Sequence, residues 1–448
     1  MRETRVAQIS IFEKYSQHEF GLQLERLSNI LDRYPETLDL IESDLIDSSC
    51  QKVGCNGLSV ESTFRSLLLK QQLRCSYEML AFHLSDSTTY RYRAFTRLAD
   101  TVCPSRSGLQ SVIRKIKPKT LEEIHQLLAI NFLKDGTISL DKIRIDSTVV
   151  KSNITPPSDS QLLNDSVRVL SRLLAKSHHS TGLKARFTDK RKASKSLAFQ
   201  IFNAKNTQKE ALYPDLLKLT RVVLRQVGLA LLKVKEECEP SDKISKWQTK
   251  VKHHRDLLLK VINQTERRVI NKEKVHSSEK IVSIFEEHTD IIVKGYRETL
   301  YGHKINLASD ERGFITYLAL EKGNPGDVER FMPILHDHKT LFNKLPHSVA
   351  CDGGYASQEN VTQGRALGIK RLVFHKRVGI SYQSMGVKEK TFKILRNFRA
   401  GIEGNISELK RAFGAGRAEW KGEDGFKAFV WSSVITYNLV RLARLESG

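Results

Sequence analysis

The chain has 448 residues, a hydrophobic fraction of 40% and a formal net charge of +22, with 73 Lys and Arg against 51 Asp and Glu. That length and apolar content allow two to four folded domains and exclude a disordered chain. No run approaches the ~18 consecutive apolar residues of a membrane span, the first residues carry no basic-then-apolar leader, and the positive excess points to a polyanionic partner, above all nucleic acid. A cytoplasmic, nucleoid-associated protein with no membrane partner is expected.

Residues 1–135 read as an all-helical region, with apolar positions at helical spacing in 21–32 and 62–84. Candidate helices cover Tyr77–Leu84 and Ser105–Ile116, the second N-capped by Ser105. Leu109, Val112, Ile113 and Ile116 form its apolar stripe, and Arg106, Arg114, Lys115 and Lys117 decorate the rest. A short basic helix that follows another helix and ends near Pro118 fits a helix-turn-helix reader of DNA. Of the six cysteines, only Cys50 and Cys55 lie close together, and no Cys/His pair follows at zinc-finger spacing. Buried free thiols are expected rather than a zinc site.

The texture changes at 136. Ile138, Leu140, Ile143 and Ile145 alternate with polar residues, as in a strand that ends at Asp146-Ser147-Thr148. Residues 136–160 thus begin a sheet domain, and 161–280 interrupt it with a basic helical insertion. Residues 181–280 hold 24 Lys and Arg against 11 Asp and Glu. Leu216, Leu217, Leu219, Val223 and Leu224 mark one amphipathic stretch, and Leu257, Leu258, Leu259, Val261 and Ile262 another. The run 184–196, with Lys184, Arg186, Lys190, Arg191 and Lys192 as candidate DNA contacts, is the most basic piece and reads as a mobile loop; the insertion as a whole reads as lying along a nucleic acid backbone.

From 281 to 448 the sheet domain resumes. Strands are expected at Asp290–Val293, Tyr301–Ala308, Gly313–Glu321, His347–Cys351 and Arg371–Phe374. A helix capped by Asp327 carries Phe331, Ile334 and Leu335, and helices 397–413 and 425–445 finish the chain. The order predicts a mixed α/β sheet interrupted once.

Asp146 and Asp352 stand at strand ends, where α/β folds open their crevices, and Gly353-Gly354 allows a sharp turn behind Asp352. On the helix around 403, Arg399, Glu403, Ile406 and Lys410 share a side, while Glu408 lies ~140° round from Glu403. Phosphodiester transfer has an anionic transition state and a poor leaving oxygen. Two Mg²⁺ ions held by shared carboxylates serve that chemistry. Asp146, Asp352 and Glu403 are therefore the candidate catalytic and metal-binding triad, with Arg399 and Lys410 beside the phosphates.

The ordered set IRIDSTVV (143–150), SIFEEHTDIIVKG (283–295), YGHKINLASDERGFI (301–315), GNPGDVERFMPIL (323–335), VACDGGYAS (349–357), RAGIEGNISELKRAFGAGRAEWKG (399–422) and YNLVRLARL (437–445) resembles the DDE transposases of bacterial insertion sequences, in particular the ISNCY-type group. LRCSYEMLAFHLSDS (73–87) is similar to the start of that family. The resemblance implies an RNase H-like catalytic domain, Mg²⁺ or Mn²⁺ as cofactor, and recognition of terminal inverted repeats in double-stranded DNA. It also implies a homodimer on the DNA and no small-molecule substrate. It assigns the triad to Asp146, Asp352 and Glu403. A related motif spaces Tyr, Arg, Glu and Lys as Arg399, Glu403 and Lys410 are spaced here, with Arg396 in the Tyr position. A DNA-binding regulator that no longer cuts, and a metal nuclease that cuts without joining, are the competing readings.

Overall fold

Helices α1 (Glu19–Arg33), α2 (Glu36–Leu45), α3 (Val60–Leu73), α4 (Tyr77–Asp86), α5 (Arg106–Ile113) and α6 (Pro118–Lys134) precede strand β1 (Lys142–Lys151). Then come α7 (Asp159–Ala175), α8 (Ser177–Thr181), α9 (Arg191–Asn203), α10 (Asn206–Glu237) and α11 (Asp242–Thr265). The sheet resumes with β2 (Asp290–Lys294), β3 (Glu298–Ser309) and β4 (Ile315–Leu320), followed by α12 (Asp327–Phe342), β5 (Ser348–Cys351), α13 (Gln358–Leu367) and β6 (Arg371–Phe374). Helices α14 (Glu389–Ala412) and α15 (Glu423–Leu445) close the chain. This computed structural model describes residues 4, 18–46, 57–87, 95–98, 103–294, 298–375 and 380–446, so Cys50 and Cys55 lie outside the described residues. Among the described residues no helix is long and apolar enough to cross a membrane.

Serine starts many of these helices. Ser59, Ser76, Ser105, Ser158, Ser241 and Ser357 each cap one, their Oγ accepting a backbone N–H of the first turn. Each such cap stabilises its helix by about 1 kcal/mol.

The chain divides into two compact units, Met1–Asn153 with Gly302–Gly448, and Ile154–Tyr301. In the first, β1 lies between antiparallel β3 and parallel β5, β6 adds parallel to β5, and β4 pairs antiparallel with β3. Within this unit the sheet is thus mixed and open, with strand order β3-β1-β5-β6 and β4 on β3. This α/β architecture, with an all-helical N-terminal region, is consistent with the RNase H-like class. One core joins Ile143, Ile145, Val349 and Phe374 of the sheet to Phe331, Ile334 and Leu335 of α12. Another joins the N-terminal helices, through Leu27, Phe64 and Ile124, to Val434, Ile435 and Leu439 of α15 and to Leu307 of β3.

The second unit has its own core. Leu163, Val167 and Leu170 of α7 meet Leu216, Leu217 and Val223 of α10 and Leu258, Val261 and Ile262 of α11. Leu259, expected on the apolar stripe of α11, is 44% exposed.

Several sequence expectations are corrected. β1 does not end at Asp146 but continues to Lys151, paired with β3 as far as Gly302. The parallel β5–β6 pair requires a crossover, and α13 supplies it, a helix that periodicity does not reveal. The basic run 184–196 is not wholly a loop, because Arg191 onward is helical in α9. α5 stops at Ile113, and Pro118 opens α6 instead of ending α5, as suits proline at a first helical position. Of residues 87–105, between α4 and α5, positions 88–94 and 99–102 lie outside the described residues. Asp327 does not cap α12, whose N-cap is Gly326; its carboxylate pairs with Lys304 at 2.6 Å.

Candidate active site

Strand register brings the two aspartates together. β1 and β5 pair in parallel from Lys142–Ser348 to Ile145–Cys351, and there β5 ends. Asp146 and Asp352 are the next residues on the two neighbouring strands. Side chains alternate along a strand, so Ile143 and Ile145 enter the core while Arg144 and Asp146 face α14. Arg144 docks that helix: Nη1 donates to Phe398 O at 3.1 Å, Nη2 to Asn405 Oδ1 at 2.9 Å, and Nε to Ser309 Oγ at 2.9 Å. Gly401 makes the approach possible, because a Cβ there would lie 1.9 Å from Arg144 Nη1.

Docked this way, α14 points Arg399 at both aspartates. Arg399 Nη2 lies 3.1 Å from Asp146 Oδ2 and 2.9 Å from Asp352 Oδ1, and Nη1 lies 2.8 Å from Glu403 Oε1. The Arg399 and Asp146 side chains are 11% and 14% exposed, Asp352 is 39% exposed and Glu403 65%. Asp146 Oδ1 also accepts the Ser147 amide at 2.7 Å. The three carboxylates therefore share one guanidinium, an arrangement with excess negative charge. Beneath them, burial pushes the Cys351 thiol well up, and Asp146 and Asp352 add to the push. Tyr355 is likewise raised, first by burial and then by Asp327 and Asp146; its hydroxyl donates to Asn306 Oδ1.

As hard oxygen donors, the three side chains have the chemistry that suits Mg²⁺ or Mn²⁺. Among the described residues, however, no three carboxylate, imidazole or thiol groups stand close enough to hold one ion together. Arg399 fills the space between them.

Glu408 faces α15, where Arg444 and Arg441 pair with it at 2.5 and 3.4 Å. Lys410 is half-buried two turns beyond Glu403, and Arg396 is half-buried one turn before Arg399. The two glycines after Asp352 have another role than expected. Neither adopts a positive φ, and a Cβ at Gly354 would lie 2.7 Å from Asp327 Oδ2, so that carboxylate would have to shift.

Three of the four cations expected on the N-terminal DNA reader hold intramolecular contacts. Arg106 lies 3.8 Å from Glu78, Arg114 donates to Lys421 O at 3.0 Å, and Lys117 pairs with Asp44 at 2.8 Å. Lys115 is exposed. In the other unit, Lys184, Arg186 and Lys192 are exposed, Lys190 is half-buried, and Asp189 holds Arg191 at 2.5 Å. Arg144, Gly401 and Asn405 are site residues that the sequence reading misses. A charged residue between Ile143 and Ile145 in a central strand is the one signal that marks Arg144.

Residues 285–439 match the family model of the transposase DDE domain. The chain carries a transposase DDE domain. Asp352, Arg399, Glu403 and Lys410 lie inside the matched segment, and Asp146 lies before it. The match supports a transposase-type function; it describes the DDE domain and does not reach the narrower ISNCY-type group. No curated protein and no solved structure matches the chain.

Proposed function

We propose that this chain binds the terminal inverted repeats of an insertion sequence and catalyses metal-dependent strand cleavage followed by strand transfer. The supporting observation is the convergence of Asp146, Asp352 and Glu403 on the single Arg399 guanidinium at the open end of β5. In this reading the three carboxylates hold the divalent cofactor, Mg²⁺ or Mn²⁺, two ions per site. When bound, such ions activate an attacking oxygen and offset the charge on the leaving one.

The chain's own groups set the geometry. Arg144 and Gly401 fix α14 on β1, so Glu403 stays on the same side as the aspartates. Arg399 and Lys410 offer positive charge to the phosphates beside the scissile bond. Water attacks the phosphodiester at the element's end and releases a 3′-hydroxyl, which then attacks a phosphodiester of target DNA; each step breaks one P–O bond and makes one. The exposed cations of residues 181–280 and Lys115 contribute backbone contacts, and two copies of the chain bring two ends together. The helical region 1–135 recognises the end sequence, the segments 136–160 and 281–448 form the catalytic domain, and 161–280 is its basic insertion.

The test uses the DNA that flanks the coding sequence. Matched inverted repeats are joined to donor DNA and incubated with the protein, Mg²⁺ and a target plasmid. Nicked ends and end-to-target joint molecules are expected. Cleavage without joints supports a nuclease, and binding without cleavage a regulator.

A further inference from the structure

Within the unit Ile154–Tyr301, helices α7 and α9 enclose a groove of about 700 Å³. Arg168 and Arg172 line it from α7, one turn apart, and Lys192, Lys195, Phe199 and Phe202 line it from α9. The four α9 positions are spaced by three and four residues and so share one face. The adjacent face of α9 serves the core through Ser194, Ala198 and Ile201, and Ser194 Oγ bonds Asn164 Oδ1 at 3.0 Å to seat α9 on α7. Phe199 and Phe202 are left 68% and 75% exposed. Two neighbouring aromatic rings in water are unfavourable, and their helix does not need them for its own packing.

The surrounding charge identifies what covers them. Among the described residues no carboxylate lines the groove. Asp165 engages Arg168 at 2.7 Å, while no ion pair of Arg172, Lys192 or Lys195 exists among the described residues. A polyanion with flat apolar faces fits such a lining. Nucleic acid has both properties, but duplex DNA hides its base faces in the stack, so the rings require an unstacked base.

We propose that this groove binds a DNA strand carrying at least one unpaired, unstacked base, with Phe199 and Phe202 stacking on bases and Arg172, Lys192 and Lys195 on the phosphates. The proposal rests on the reading of the chain as a DNA-acting enzyme and adds the form of DNA that its insertion takes.

The full-length protein is titrated with a 20-nucleotide strand containing 2-aminopurine, and with the same strand in a duplex. The double variant Phe199→Ser/Phe202→Ser changes only exposed positions, and its circular dichroism and melting temperature serve as the fold control. It should weaken single-strand binding about tenfold for each base that no longer stacks, and should change the 2-aminopurine signal. Duplex affinity should stay within about twofold, because backbone contacts dominate it. Lys192→Gln/Lys195→Gln should weaken both complexes and lower the salt dependence of each. Unaltered single-strand affinity and fluorescence in the phenylalanine variant would overturn the proposal while leaving duplex binding intact. A shift in self-association on sedimentation, with strand binding unaltered, would overturn it in favour of a protein contact. If the parent protein binds neither strand nor duplex, the DNA reading falls with it.

Discussion

Arg399 Nη2 lies within 3.1 Å of both Asp146 and Asp352, and Nη1 within 2.8 Å of Glu403. It acts as the resident counter-charge of the three carboxylates, so any divalent ion they bind competes with it for the same oxygens. Arg399→Gln should therefore melt at a lower temperature than the parent in EDTA, since it leaves like charges facing one another. The same variant should gain more in melting temperature on adding Mn²⁺; thermal unfolding with and without the ion measures this, and equal gains in both proteins would contradict it. Two buried histidines set a separate pH dependence. Burial holds His125 and His338 down to about 4. The unfolded chain takes protons near 6.5 that the folded chain refuses, so stability falls as pH drops from about 6.5 towards 4, by roughly 2 kcal/mol per histidine by pH 5. Asp310, raised to about 6 by burial, has the opposite sign: its folded form keeps a proton, and it favours the folded state as pH falls from about 6 towards 4. His125→Gln should flatten the acid-side loss in urea melts at pH 7 and pH 5, and an unaltered difference between the two pH values would remove His125 from the account.

At the scale of elements, α14 carries Arg399, Glu403 and Lys410, and its seat on β1 decides whether they meet the aspartates. Gly401→Ala would place a Cβ 1.9 Å from Arg144 Nη1, breaking hydrogen bonds of a largely buried guanidinium. A stability loss of about 1–3 kcal/mol is expected, with a larger fall in cleavage than in DNA binding. Denaturant melts and end-cleavage assays check both, and parent-like values would show that α14 has room to adapt. Much of this arrangement is legible in the sequence. Strand alternation locates β1, β5 and β6, and helical phase puts Arg399 and Glu403 on one side, because both signals depend on local periodicity. The pairing of β1 with β5 is not legible, since register between distant strands leaves no local trace. For the same reason the sequence makes Asp146 a strand end, although only its β5 neighbour ends there. α13 escapes because its sequence, QENVTQGRAL, buries only Asn360, Val361 and Gly364, too weak an apolar stripe to show a period. Gly401 escapes because a helical glycine is silent until its neighbour across the interface is known.

For the whole molecule, the charge excess of +22 is concentrated in residues 181–280, which hold 24 basic against 11 acidic residues. Deleting 184–196 would be a poor test of the role of this region, because α9 begins at Arg191 and packs into the core of its unit. Charge-neutralising changes at the exposed Lys184, Arg186 and Lys192 are better. Replacing all three with Gln should lower duplex affinity and reduce the slope of log K against log salt by roughly 0.9 for each phosphate that is no longer neutralised. Fluorescence anisotropy over a salt series measures it, and an unaltered slope would return these side chains to the solvated surface. The catalytic assignment has a more direct test in Asp352, which sits at the meeting point of β5, β1 and α14 without supporting the core. Asp352→Ala should retain binding to the element's end, measured by anisotropy, while Mg²⁺-dependent nicking of that end falls by roughly a thousandfold, as when other groups that stabilise transition-state charge are removed. Cleavage by Asp352→Ala at the parent rate would contradict the account.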